Sequence, residues 1–258
     1  MHRLAPTLLL SLAAASCGGA THDDDADAVG GVDALEATAQ TQALLSIVND
    51  VTRGAVGAEM AAAVAAQNTA GAFLPSGCVQ ATSAGATVTY TLNGCAGAYG
   101  LASVSGTLRA TFSEVTPSGR TVALSGELQA NGLTLRPDAT AQVSFMGSSR
   151  MASVTVMGTG TTPRPSAFAQ SGSYMSTWDG ACLGLTGRVS NTASSGGAVT
   201  VDITNFRRCR GGCPDAGGRV TVTSARGASV TLTFNGAATA TLSGSRGRNL
   251  PVRLYCGS

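Results

Sequence analysis

Seven cysteines, at positions 17, 78, 95, 182, 209, 213 and 256, are the most reactive side chains in the sequence. Histidine occurs only as His2 and His22. Lysine is absent, so all 16 basic residues are arginine. Without lysine there is no Schiff base and no P-loop lysine. With both histidines in the first 22 residues, a His-centred triad or a His-rich metal site is excluded from the folded body. Cys209 and Cys213 have Cys-x-x-x-Cys spacing, whereas a redox motif needs Cys-x-x-Cys and a zinc site needs two further ligands. Disulfides are therefore expected in place of metal, and no cofactor is expected.

Six acids remain beyond residue 71: Glu114, Glu127, Asp138, Asp179, Asp202 and Asp215. A glycoside hydrolase needs two carboxylates across a cleft. Asp179 and Asp202 are the candidates for that work. Asp179 follows Trp178 in STWDG and precedes Gly180, so a turn role competes with catalysis. Trp178 alternates with Ser176 and Tyr174, which places it on a strand face as core or rim. No serine stands in G-x-S-x-G, and no strand-to-helix G-x-G-x-x-G occurs. The expectation is a non-catalytic protein.

The arginines form the other candidate site. From residue 71 onward, 14 arginines face six acids, a net +8, while residues 18–70 carry eight acids against Arg53, a net −7. Arg207, Arg208 and Arg210 surround Cys209, and Arg246 and Arg248 lie in SRGR before the last strand. If Cys213 pairs with Cys256, these clusters are expected to meet in one basic patch. Its partner would be an anionic envelope glycan or a lipid. The competing reading is an Arg-rich solvated surface with no ligand. No nucleic-acid partner is expected.

The elements that position these residues begin at the amino terminus. Arg3 is followed by an apolar run, Leu8 to Ala15, of signal-peptide length and too short to span a membrane. Ala14, Ala15 and Ser16 then precede Cys17. This stretch resembles the lipobox of bacterial lipoproteins. That resemblance implies a signal peptide over 1–16, acylation of Cys17, and attachment to a membrane. Ala14 stands where that pattern more often has leucine. Gly18, rather than aspartate, implies the outer membrane, on either its periplasmic or its surface face. Removing Cys17 leaves six cysteines, an even number suited to three disulfides. The alternative is an ordinary secretory signal. Residues 17–31, with four aspartates, read as an acidic tether.

Residues 32–70 read as helical. Asp33 and Glu36 have the spacing of a helix start, and Leu44, Val48, Val51 and Ala55 recur at helical period. Gly54 and Gly57 predict one kinked helix or two short ones, ending before Gly71 and Pro75. From 72 to 258 the pattern is β. Val199, Val201 and Ile203 alternate with Thr200 and Asp202, as Val220 and Val222 do with Thr221 and Thr223. Turn dipeptides punctuate these runs at Asn93-Gly94, Asn131-Gly132 and Asn235-Gly236, with Pro117 to Gly119 and Ser194 to Gly197 as longer turns. About 12 strands are expected, in an antiparallel β-sandwich or barrel. A transmembrane barrel is disfavoured because aromatic girdles are missing. Residues 82–94 and 223–236 are alike enough to be the same kind of hairpin.

Hairpin arithmetic orders the cysteines. A turn near Gly85 places Cys78 opposite Cys95, and a turn at Ser195-Gly196 places Cys182 opposite Cys209. Cys213 then pairs with Cys256. The competing set pairs Cys209 with Cys213 and Cys182 with Cys256.

The stretches YTLNGCAGAYG, STWDGACL, RRCRGGCPDAGGRVTVT and the terminal LYCG resemble Thr/Gly-rich, disulfide-containing lipoproteins of high-GC Gram-negative bacteria. That resemblance covers most of residues 72–258 and implies no activity. The functional expectation is an envelope lipoprotein with a structural or interaction role. A binding module for anionic glycan or lipid is second, and a carboxylate-dependent hydrolase third. Intact-mass measurement of the membrane-fraction protein should give a chain starting at Cys17 with acyl groups attached. A mature mass without them would refute the anchor.

Overall fold

A computed structural model describes residues 57–68, 73, 75–96, 103–117, 119–146, 149–162, 167–179, 182–194, 197–209, 211–244 and 249–256. The signal, Cys17, the tether and the helical expectation over 32–56 lie outside these residues. The described chain has one helix, α1 (Ala58–Asn68), and thirteen strands. These are β1 (Val79–Ala84), β2 (Thr87–Ala96), β3 (Ser103–Phe112), β4 (Arg120–Ala130), β5 (Leu133–Met146), β6 (Ser149–Thr161) and β7 (Ala167–Asp179). The rest are β8 (Cys182–Ala193), β9 (Ala198–Cys209), β10 (Arg219–Ser224), β11 (Ser229–Phe234), β12 (Thr239–Gly244) and β13 (Asn249–Arg253). All pair antiparallel, each with its chain neighbours, in one open sheet ordered β1 to β13. The expected mainly β, antiparallel architecture with an N-terminal helix is therefore present. The two similar segments are the β1–β2 and β10–β11 hairpins.

Alternation explains both faces. On β6, Ala152, Val154 and Val156 are fully buried, while Ser153, Thr155 and Thr159 are exposed. The outward positions of β5 carry Arg136, Asp138, Thr140 and Gln142. Hydroxyl pairs such as Thr87–Thr111 and Thr221–Thr231 stitch neighbouring strands on the outside. Inward side chains from β1 to β12, with Leu254, make one contiguous core. Among the described residues α1 packs mainly on β1, β2 and β3, through the stripe Ala58, Ala61, Ala62 and Ala65. The inward side chains of the later strands, among the described residues, pack on one another, which needs the sheet to coil.

Glycines permit that coiling. A Cβ on Gly187 would lie 2.4 Å from the Ser173 carbonyl oxygen and 2.7 Å from the Tyr174 ring. Gly187 and Tyr174 are register partners, so the ring lies over the glycine. Gly172 approaches the Arg188 carbonyl in the same way. Strand backbones this close leave no room for a side chain.

One inner row carries polar side chains: Gln170, Asn191 and Ser224 lie in register with Pro137, Gly158 and Val199 from β5 to β10. Gln170 donates to Asn191 Oδ1 at 3.0 Å. Beyond this row Leu133, Leu135 and Phe168 form a separate small cluster.

Three disulfides join Cys78–Cys95, Cys182–Cys209 and Cys213–Cys256, the pairs expected from hairpin arithmetic. The registers that deliver them differ from simple hairpins. In β1–β2, Val79 faces Leu92, so Cys78 lies opposite Asn93. Asn93-Gly94 is not a turn as expected but a bulge inside β2, with Gly94 at φ 66° donating to Ser105 Oγ. The extra residue returns Cys95 to the buried face. In β8–β9 the register leaving the turn would put Cys182 opposite Arg208. A bulge at Asn205, φ 51°, restores Cys182 to Cys209.

Replacing Gly187 by Ala should cost about 2 kcal/mol of stability through overpacking. Gly197→Ala, where a Cβ meets nothing within 4 Å, should stay within about 0.5 kcal/mol of wild type. Urea unfolding of the oxidised proteins compares them, and equal midpoints would dismiss the close-approach account.

Candidate functional site

The expected basic patch is built on the end of β9 and the loop that follows it. Arg207 points outward and is bracketed by carboxylates: Nη1 donates to Asp215 at 2.8 Å and Nη2 to Asp179 at 3.4 Å. The Asp215 hydrogen bond, then the Asp179 charge, raise the Arg207 pKa. Arg208 turns the other way. It continues the inward alternation of Phe206, and its Nε donates to the Gly212 carbonyl at 2.9 Å. Burial lowers its pKa. One arginine is thus neutralised locally and the other clamps its own loop. Arg210, Arg246 and Arg248 lie outside the described residues.

The expectation of one patch turns on residues 210, 246 and 248, so among the described residues only the flanking strand ends can be placed. Gly244 and Asn249 bracket the segment 245–248, and Asn249 pairs with Ser243. β13 then runs to Arg253 and on to Cys256, which is bonded to Cys213. The disulfide therefore joins the far end of β13 to the Cys209/Cys213 loop. Following register from Thr204 through Arg219, Thr233 and Thr241 reaches Pro251. Arg207 stands three residues above this line and Asn249 two below. The offset is about 17 Å along the strands, plus the width of four strand spacings. Arg207 and Asn249 therefore stand toward opposite ends of their strands.

The carboxylates separate likewise. Asp179 pairs with Cys182, which pairs with Cys209, and Asp202 lies seven residues down β9 from that cysteine. This is about 20 Å along the strand, well beyond the roughly 10 Å limit for a two-carboxylate glycosidase. Asp202 instead accepts from Arg188 Nε at 2.6 Å, and Glu127 from Arg136 Nε at 2.8 Å. No group of three His, Cys, Asp or Glu side chains able to hold a metal occurs among the described residues.

Two functional-site candidates were not singled out from sequence: Arg120 and Arg150. Both continue inward alternations, Arg120 with Val122 and Leu124, Arg150 with Ala152 and Val154. Arg120 is 1 % exposed and donates through Nη2 to the Gly57 carbonyl at 3.4 Å, while Glu114 Oε1 accepts from the Ala58 amide at 3.0 Å. Burial lowers the Arg120 pKa and the Glu114 charge opposes that. Together they seat the first turn of α1, whose amides need an acceptor. The available signal was parity: an arginine standing where an alternation calls for an apolar residue. Trp178 is 1 % exposed on β7, as expected for a strand-face residue.

Compared with known proteins, the chain matches no family model, no curated protein and no solved structure. The site is therefore read from its own geometry.

The Cys213–Cys256 bond spans 43 residues and holds the loop that Arg208 and Asp215 occupy. Substituting both cysteines by serine should lower stability by about 4 kcal/mol, from the loop-closure entropy restored to the unfolded chain. An unchanged urea midpoint would show the bond to be redundant.

Proposed function

We propose that the protein is a non-catalytic, acyl-anchored lipoprotein of the cell envelope, with a structural or interaction role. The observation that carries this reading is how its chemical groups are used. Arginines and carboxylates pair on the outer face, Cys78 to Cys256 are committed to three bonds, and the inner face is filled by a continuous core. Such a body offers its outer face as a surface for contact. The lipobox-like segment ending at Cys17 and the acidic tether supply the attachment, and the outer membrane is its proposed location. The Thr/Gly-rich lipoprotein resemblance supports the same reading.

A second reading is a binding module for an anionic envelope glycan or lipid. It is favoured by the net +8 of residues 71–258 and by the arginines that turn inward. The hydrolase reading loses support, because its two named carboxylates stand about 20 Å apart and each is paired to an arginine.

Cys17→Ser should leave the oxidised body folded and move it from the outer-membrane fraction to the soluble periplasmic fraction. Unaltered fractionation would sink the anchored reading. The purified body should release no reducing ends from isolated envelope polysaccharide. Release abolished by Asp179→Asn or Asp202→Asn would replace this reading with a hydrolase.

A further inference from the structure

The two outer edges of the sheet are built differently. Among the described residues β1 pairs only with β2, and β13 only with β12. In an antiparallel ladder each residue either exchanges hydrogen bonds with its neighbour or turns both backbone groups away from it, in alternation. On β13 the Leu254 amide donates to the Ala238 carbonyl at 2.9 Å. That pair continues the register in which Arg253 faces Thr239. Leu250 and Val252 therefore bond to β12, and Asn249, Pro251 and Arg253 turn their backbone groups away from it. Pro251 has no N–H to offer on that side, and Arg253 adds a charge. The β13 edge is thus blunted.

The β1 edge lacks both devices. The Asn93 amide donates to the Cys78 carbonyl at 2.8 Å, in the register that pairs Val79 with Leu92. Gln80, Thr82 and Ala84 therefore bond to β2, while the N–H and C=O groups of Val79, Ala81 and Ser83 point away from it. The strand, VQATSA, carries no charge and no proline. The Cys78–Cys95 disulfide fixes its start, and the turn at Gly85, φ 56°, fixes its end. The edge is therefore ordered before anything meets it, which lowers the entropic cost of pairing.

We propose that β1 pairs antiparallel with β1 of a second copy of this chain, about a twofold axis through Ala81. Val79 then faces the partner's Ser83, Ala81 the partner's Ala81, and Ser83 the partner's Val79. Each of these pairs exchanges both of its hydrogen bonds, so every open group on the edge meets its complement. The edge is uncharged, so the two copies approach without repulsion. β13 cannot take the place of the second β1, because Pro251 removes the central donor and Arg253 brings a charge. Association therefore closes as an isologous dimer and does not run on as a filament. A strand of 6 residues buries less surface than a stable interface needs, so the dimer is weak. The pairing does not depend on how the chain is anchored.

The oxidised full chain carrying Cys17→Ser, which removes the odd thiol, is followed by sedimentation equilibrium across a range of concentrations. A monomer–dimer equilibrium with a Kd on the order of 10–100 μM is expected. Ala81→Pro should raise that Kd about tenfold or more and keep the urea midpoint, because the N–H it removes points away from β2. Should that variant fail to fold, Ser83→Lys decides, with the same loss expected from a charge on the edge. Ala81→Cys should give a disulfide-linked dimer under mild oxidation, since directly opposed, bonded residues have Cα atoms about 5.5 Å apart. Ser83→Cys should not, because its two copies are offset along the strands. The amides of Val79, Ala81 and Ser83 should gain hydrogen-exchange protection as concentration rises. A monomer at every concentration, a dimer indifferent to both edge variants, or linkage through Ser83→Cys and not Ala81→Cys, would overturn the pairing. Protection of these amides that persists at every dilution would assign the edge to another segment of the same chain, and would overturn it too.

Discussion

Among the described residues a single meandering sheet has one short helix against it and no second sheet, and that constraint governs the fold. Twelve of the thirteen strands, β1 to β12, bury an apolar side inward. Among the described residues the one helix lies mainly against the first three strands. The remaining apolar surface can leave water only if the sheet bends over itself. Bending brings backbones closer than side chains allow, which is why glycine occupies positions such as 172 and 187. The threonines outside and the valines inside follow from the same demand, because each strand has one wet face and one dry face.

That demand made much of the fold legible in sequence. Alternation in runs such as Val199 to Ile203 reports the dry face directly. Antiparallel pairing fixes partners from the position of a turn, so the cysteines could be matched without any long-range information. Bulges were not legible, since Asn93-Gly94 has the same composition in a turn as in a strand with one extra residue. The pairing of Cys78 with Cys95 survived because the bulge restores the face that a plain hairpin would have given.

The candidate site was less legible, for a topological reason. Proximity to a cysteine in sequence suggests proximity in space. In a meander, however, each strand carries the chain to the opposite end, so one intervening strand, β13, separates Asn249 from Cys256. Sign alone also misled. Arg207 and Arg208 are adjacent and identical, yet one faces water between two aspartates and the other faces the core. Parity along the strand, rather than clustering, tells which arginines the interior keeps.

The disulfides join cysteines in strict succession along the folded body: first with second, third with fourth, fifth with sixth. A chain that meets an oxidant from its amino-terminal side, one hairpin at a time, reaches this pattern directly. Each thiol finds its proper partner as the next one to emerge, and no finished bond has to be undone. No bridge of the body encloses a cysteine that belongs to another bridge, so each can close without any other having to open.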